Sequence, residues 1–343
     1  MNAPNRMGHQ TIVYRNTPWI TATACAAGPR EAQGPLGDKF DLVADTPDFG
    51  QDSYEQAEVA LLREACRICL DKANLGEKGV EVMLGGDLLN QIMPSSLAAR
   101  ALKIPFLGMY GACSTMSEGL LVGGLLVDGG YASPVLCTAG SHYATAERQY
   151  RFPLEYGNQR TPASQWTVTG AGVALLSLPD PEQEPLARLT RACMGRVVDM
   201  GVTDANNMGA AMAPAAAATL CAYFDDTGDT PEHFDRIITG DLGYVGSELL
   251  LEWSEKMGHP MPRERMMDCG LTIYDPKQDS HAGGSGCGCS AVVLSSLILP
   301  KLQAGEWRRV LFMATGALLS PTTSMQGETI PGVAHAVVIE GVR

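Results

Sequence analysis

Charge is scarce and one-sided in this chain. Only 18% of its 343 residues are charged, and 38 acidic residues against 25 basic ones leave a formal net charge of −13. A basic footprint is missing, which argues against general nucleic-acid binding and against electrostatic adhesion to anionic lipid. Long apolar runs are missing too. No segment reaches the roughly 18–20 residues of a membrane-spanning helix. The opening "MNAPNRMGHQTIVYRNTPW" lacks the continuous apolar core of a secretory signal. A soluble protein without signal peptide or transmembrane segment is expected, free to dock on a membrane partner. Paired zinc motifs are absent as well. Cys66 and Cys69 form a C-x-x-C inside a helical pattern with no second pair, and Cys287 and Cys289 stand closer than zinc ligands usually do. The ten cysteines therefore read as reduced thiols, mostly small apolar fillers, and no metal site is expected.

Glycine, alanine and aliphatic residues are abundant instead, as in a compact α/β protein whose sheets are covered on both faces. The chain also repeats itself. "VEVMLGGDLLNQ" (80–91) and "FDRIITGDLGYVGS" (234–247) each run from an apolar strand into Gly-Asp-Leu. "GACS" (111–114) returns as "GCGCS" (286–290), and "CTAGS" (137–141) as "MATGA" (313–317). Cys113 to Gly140 and Cys289 to Gly316 are both 27 residues, a shared offset of 176 without a gap. Equal spacing across a helix, a connection and a strand indicates duplication. The halves are assigned to residues 1–178 and 186–343, with the Pro- and Glu-rich 179–185 as linker.

Local signals alternate strand and helix. Ser53 and Gln56 form a capping box that opens a helix, Ala57, Leu61, Ala65 and Ile68 share one face, and Asn74-Leu75-Gly76 suits its stop. Strands are expected at 80–84, 105–109 and 134–139, and the alternation predicts a mostly parallel sheet in each half. Cys113 then falls at a strand-to-helix junction, where free N–H groups stabilise a thiolate. A working nucleophile there also needs a base and oxyanion donors. Asp87 and Asp241, single acids without nearby oxygen ligands, read as caps on their loops rather than calcium ligands. Cys289, the echo of Cys113, reads as a packing residue.

Seven stretches carry a resemblance: "AAGPREAQGPLGDKFD" (26–41), "GGDLLNQ" (85–91), "IPFLGMYGACST" (104–115), "SHYATAERQYRFPLEYG" (141–157), "TDANNMGAAMAPAAA" (203–217), "HAGGSGCGCSAVV" (281–293) and "ATGALLSPTTSMQGETIP" (314–331). In order, they resemble the stage V sporulation protein AD family, a non-condensing branch of the thiolase-like fold. The resemblance implies two pseudo-symmetric α/β halves in a layered αβαβα architecture, with Cys113 at the nucleophile position of the condensing enzymes. It implies binding of dipicolinic acid (pyridine-2,6-dicarboxylate), with calcium as candidate co-ligand and no other cofactor. The task implied is uptake into the developing spore and release at germination. Membrane proteins of the same operon are the implied partners, the inner spore membrane the implied location, and a homodimer through the first halves' sheet edges the implied assembly.

The condensing enzymes' second-half partners do not recur. "MMDCGLTIY" (266–274) has Asp268 and Cys269 where a His belongs, Ser285 stands near the expected Asn, and Thr315-Gly316 offers no second thiol. No catalytic residue is therefore assigned, and Cys113 is read as a vestigial nucleophile lining a ligand pocket. Ser141, His142, Arg148 and His335 join it as ligand-binding candidates, with Arg151 as a further cation for a dianion. Two alternatives stay open: an acyl-transfer enzyme using Cys113, and a structural partner of a spore membrane channel with an empty vestigial pocket.

Overall fold

The computed structural model describes residues 5–150 and 160–342. Among the described residues, ten strands form one continuous path made of two five-stranded halves, with short strands added at its side. The first half contributes β1 (Trp19–Ala27), β2 (Val82–Gly86), β3 (Phe106–Gly108), β4 (Val135–Ser141) and β5 (Gly170–Ser177). The second contributes β6 (Ala187–Cys193), β7 (Arg236–Thr239), β8 (Met266–Asp268), β9 (Arg309–Ala317) and β10 (Gly332–Glu340). Their spatial orders, β1-β5-β4-β2-β3 and β6-β10-β9-β7-β8, are the same order twice. The sheets join where Trp19 and Ile20 pair with Arg188 and Ala187.

Each sheet is mixed rather than mostly parallel in its pairings. β4, β2 and β3 pair in parallel, whereas β5 runs antiparallel to both β1 and β4, and the second half repeats this. The cause is the connection. Parallel neighbours need a crossover, supplied here by helices, while the last strand of each half enters beside its predecessor from the opposite end.

Six helices complete the layers: α1 (Tyr54–Lys72), α2 (Met93–Leu102), α3 (Thr115–Asp128), α4 (Met208–Thr227), α5 (Gly243–Lys256) and α6, which begins at Cys287–Val293 and continues through a π-turn to Gln303. Strand alternation sorts side chains between two faces. Val135, Cys137 and Ala139 point into a central core with Met116 and Leu120 of α3, Val292 and Leu297 of α6, and Phe312 and Val337 of the second sheet. Leu136 points outward to Leu61, Leu62 and Cys66 of α1 and Ala98 of α2. On the far side, Met212 and Leu220 of α4 and Leu250 of α5 cover Leu311, Met313 and Val338. Five layers result, with α3 and α6 between the sheets.

Half of the expected capping box opens α1: the Ser53 side chain accepts from the Gln56 N–H at 3.2 Å, without the reciprocal bond from the Gln56 side chain. Asn74 takes the left-handed conformation just beyond the end (φ 52°). Cys66 and Cys69 are buried under α1, and burial pushes the Cys69 thiol up to about 12. Among the described residues, no helix is long and apolar enough to cross a membrane.

Candidate functional site

The two Gly-Asp-Leu turns end β2 and β7, and the two thiol-bearing turns open α3 and α6. Duplication places all four at the middle of the molecule. Between β3 and α3 the chain turns sharply at Ala112, which takes φ 51°, a left-handed conformation that L side chains adopt at a cost of about 1–3 kcal/mol. That turn carries Cys113, which is 4% exposed.

The group facing Cys113 comes from the other half. Asp241 is fully buried, and its charge acts on the Cys113 thiol. It also accepts from Thr315 Oγ1 at 2.9 Å, the Gly286 N–H at 2.9 Å and Ser285 Oγ at 3.1 Å. Cys287 donates to the Ala112 carbonyl at 2.9 Å, so a second thiol lies against the same turn. Ser141 closes the other side: its hydroxyl donates to Val168 O at 2.7 Å and accepts from the Gly288 N–H at 3.0 Å. Gly316 sits behind, close enough that a Cβ there would lie 2.4 Å from the Gly111 carbonyl oxygen.

Electrostatics follow burial. Loss of water pushes the Cys113 thiol well above its ordinary value, and the Asp241 and Cys287 charges push the same way. Burial lifts Asp241 to about 6 against hydrogen bonds that favour its carboxylate. Asp87, the echo of Asp241, also rises to about 6 by burial, but it turns inward on its own loop. It accepts from the Leu89 N–H at 2.9 Å and from the Ser95 N–H and hydroxyl at 2.9 and 2.6 Å. Asp87 is the loop cap the sequence suggests; Asp241 is something else, because the first half's turn presents it with a thiol.

The five ligand-binding candidates do not all converge. Cys113 and Ser141 meet through Gly286–Gly288. His142 is buried with both nitrogens engaged: Nε2 donates to Pro47 O at 2.7 Å, and Nδ1 accepts from the Ala144 N–H at 3.1 Å. Burial lowers its pKa, as befits a neutral ring holding its loop. Arg148 is half exposed and paired with Glu55 at 2.5 Å. His335 lies on β10, where Nδ1 accepts from the Gly195 N–H at 3.1 Å. Arg151 lies outside the described residues. Among the described residues, none of the six histidines is hydrogen-bonded to Cys113 or Asp241, and no group of three or more His, Cys, Asp or Glu could hold a metal ion.

Sequence reading named Asp241, Thr315 and Cys287 separately and did not bring them together at Cys113. The signal was the duplication itself, since two repeated acids and two repeated thiols around one pseudo-axis can meet across halves. Cys289 is buried against Gly240 O as a packing residue.

Comparison with known proteins agrees with this architecture. The family profile described as stage V sporulation protein AD matches residues 8–340. The stage V sporulation protein AD of Bacillus subtilis (strain 168) is 46% identical over 333 residues, 97% of each chain. Among solved structures, an OleA variant from Xanthomonas campestris superposes with TM-score 0.61 at 14% identity, covering 97% of this chain and all of the other (100%). Human mitochondrial 3-ketoacyl-CoA thiolase in complex with CoA gives 0.59 at 12% identity, covering 96% and 99%. The 3-oxoacyl-[acyl-carrier-protein] synthase III of Aquifex aeolicus VF5 gives 0.56 at 14% identity, covering 94% and 99%. At such identities these structures share the fold, which is thiolase-like.

Proposed function

Because the chain belongs to the stage V sporulation protein AD family, we propose that it binds dipicolinic acid without transforming it, serving uptake into the developing spore and release at germination. Its place is at the inner spore membrane of the forespore, beside membrane proteins of the same operon. The observation that carries the non-catalytic part is the surroundings of Cys113. The attacking species in acyl transfer is a thiolate, and burial, with the Asp241 charge acting the same way, disfavours it.

The charge around Cys113 bears on the form of the ligand. Asp87 and Asp241 are acids, and no lysine or arginine among the described residues hydrogen bonds to either. A free dianion meets repulsion there, whereas in a calcium chelate the ligand's carboxylates are already neutralised. Calorimetric titration with dipicolinate should show saturable heat, tighter with equimolar calcium; no heat in either arm would sink the ligand reading. Exposure to acyl-CoA should leave Cys113 unmodified by mass spectrometry. A stoichiometric adduct there would favour the acyl-transfer alternative.

The same reading includes a homodimer paired through β3. This strand is the open edge of the first sheet, and Leu107 on it, with Met93 and Tyr110 beside it, is 45–52% exposed. An uncovered apolar edge strand is a template for pairing with another copy. The equivalent edge, β8, is half-buried or buried throughout. Light scattering should give twice the 36.4 kDa chain mass, and Leu107→Asp should return it to one. A monomeric parent would refute the assembly.

A further inference from the structure

We propose that Arg30 is a carboxylate-binding residue: with the indole of Trp166 it forms, at the seam between the two halves, a site for planar aromatic carboxylates outside the turn of Cys113. The ligand class rests on the dipicolinate reading; the site itself stands on geometry.

Arg30 follows β1, and its Cζ lies over the Trp166 ring, 4.1 Å from the centroid. A guanidinium stacked on an indole keeps its N–H groups at the edge of its own plane, where two of them can receive one carboxylate. Tyr143 stacks on the same indole at 5.0 Å and 27°, and His142 on Tyr143 at 5.4 Å and 20°, so a row of aromatics holds the ring in place. Arg30, Tyr143 and Trp166 are all half-buried, within reach of a ligand from solvent.

The cation is not neutralised by the protein. Among the described residues no carboxylate forms an ion pair with Arg30: its Nη2 donates to the Gln278 carbonyl, and its Nε is buried without an acceptor. The adjacent acid, Glu31, is committed elsewhere. Its Oε1 accepts from the Thr169 N–H at 3.0 Å and from the Tyr274 hydroxyl, and its Oε2 lies against Gly28. In a chain of net charge −13, a half-buried guanidinium without a carboxylate is a costly arrangement that an anionic ligand relieves. Nor does the seam need this side chain as its strut, because Gln278 Nε2 already ties the Arg30 carbonyl to the other half at 2.7 Å.

A second guanidinium stands on the same ring. Arg160 Cζ is 4.7 Å from the Trp166 centroid, and its Nη2 reaches Asp279 Oδ2 at 3.1 Å, on a side chain 78% exposed. A ligand with two carboxylates can pair one with Arg30 and displace that exposed acid with the other. The site adjoins the surroundings of Cys113 without sharing them. Trp166 and Thr167 pair in parallel with Gly284 and Ser285, and Ser285 bonds to Asp241 at 3.1 Å. A dianion repelled by the buried acids finds its cations one residue along this short strand.

Isophthalate (benzene-1,3-dicarboxylate) carries two carboxylates placed like those of dipicolinate but has no ring nitrogen to complete a calcium chelate, so it reads the arginine site alone. Calorimetric titration of the full chain without calcium should give saturable heat with both ligands. Arg30→Gln should weaken each by about tenfold or more, the scale of one lost charge-assisted pair of hydrogen bonds. Arg148→Gln, which removes the exposed partner of Glu55, should bind as the parent does. Phenylglyoxal, which modifies accessible guanidinium groups, should label Arg30 more slowly in saturating isophthalate and Arg148 at an unchanged rate, by peptide mass spectrometry. That measurement uses the parent alone and holds even where Arg30→Gln does not fold. Parent affinity for both ligands in folded Arg30→Gln, or unprotected Arg30, overturns the site and leaves the dipicolinate reading standing. Isophthalate bound through Arg30 with no dipicolinate heat supports the site and sinks the ligand reading. Absence of heat from both ligands without calcium overturns the site, whatever the calcium arm shows.

Discussion

Gly316→Ala is expected to destabilise the protein by about 2–3 kcal/mol, the range for forcing extra atoms into a packed interior. Gly140→Ala, its echo in the first half, is expected to cost under about 1 kcal/mol. Both glycines occupy the same place in their repeats, but their neighbours differ. A Cβ on Gly316 would lie 2.4 Å from the Gly111 carbonyl oxygen and 3.2 Å from Ser114 N, both backbone atoms that cannot rotate away. A Cβ on Gly140 would meet nothing nearer than 3.5 Å. The strand β9 presses on the turn that carries Cys113, so the alanine must displace that turn. Thermal and denaturant unfolding of the two variants should separate them clearly, and Gly316→Ala should also weaken dipicolinate binding. Equal midpoints for the two would show that the turn yields freely.

Stability should rise, not fall, as pH is lowered from 7.5 to about 5. The sign follows from the direction of the shifts. Burial raises Asp87 and Asp241 to about 6 and also raises Glu58, Glu31, Glu118 and Asp268. A carboxyl whose pKa is higher folded than unfolded binds its proton more tightly in the native state. Its full stabilisation is therefore present below the unfolded value near 4 and is lost as pH climbs through the folded value. For Asp87 and Asp241 the window runs from about pH 4 to about 6.5, and each contributes on the order of 2–3 kcal/mol across it. Acids with lowered values, such as Asp226 and Asp229, act oppositely and only at the acid end. Calorimetry should thus find a transition temperature several degrees higher at pH 5 than at pH 7.5. Relief of the general −13 charge acts in the same direction, so Asp241→Asn isolates the local effect. It should raise the midpoint at pH 7.5 and flatten part of the pH dependence. A profile that falls steadily from pH 7.5 to 5 would contradict the buried-acid account.

Much of the fold was legible in the residues. The cap at Ser53, the left-handed stop at Asn74 and the buried stripe from Ala57 to Ala65 are local signals, set by neighbours within a few positions. The antiparallel fifth strand was not legible, because strand direction depends on how a connection crosses the sheet rather than on the strand's own pattern. Of the site, Cys113 and Ser141 were legible from their junctions. His142 and Arg148 read as pocket groups because polar residues cluster there, yet one is spent holding its loop and the other faces Glu55.

The sequence by itself determined the duplication, the family, the thiolase-like layers and the position of Cys113. Each of these is written in local order and spacing. Only the tertiary structure decided that Asp241 meets Cys113 while Asp87 folds back on its own loop. Those two acids sit in the same motif, and what separates them is the neighbour each finds across the central layer. A thiol 128 positions from its acid along the chain is beyond the reach of any local signal, and it is the stacking of the two sheets about α3 and α6 that brings them together.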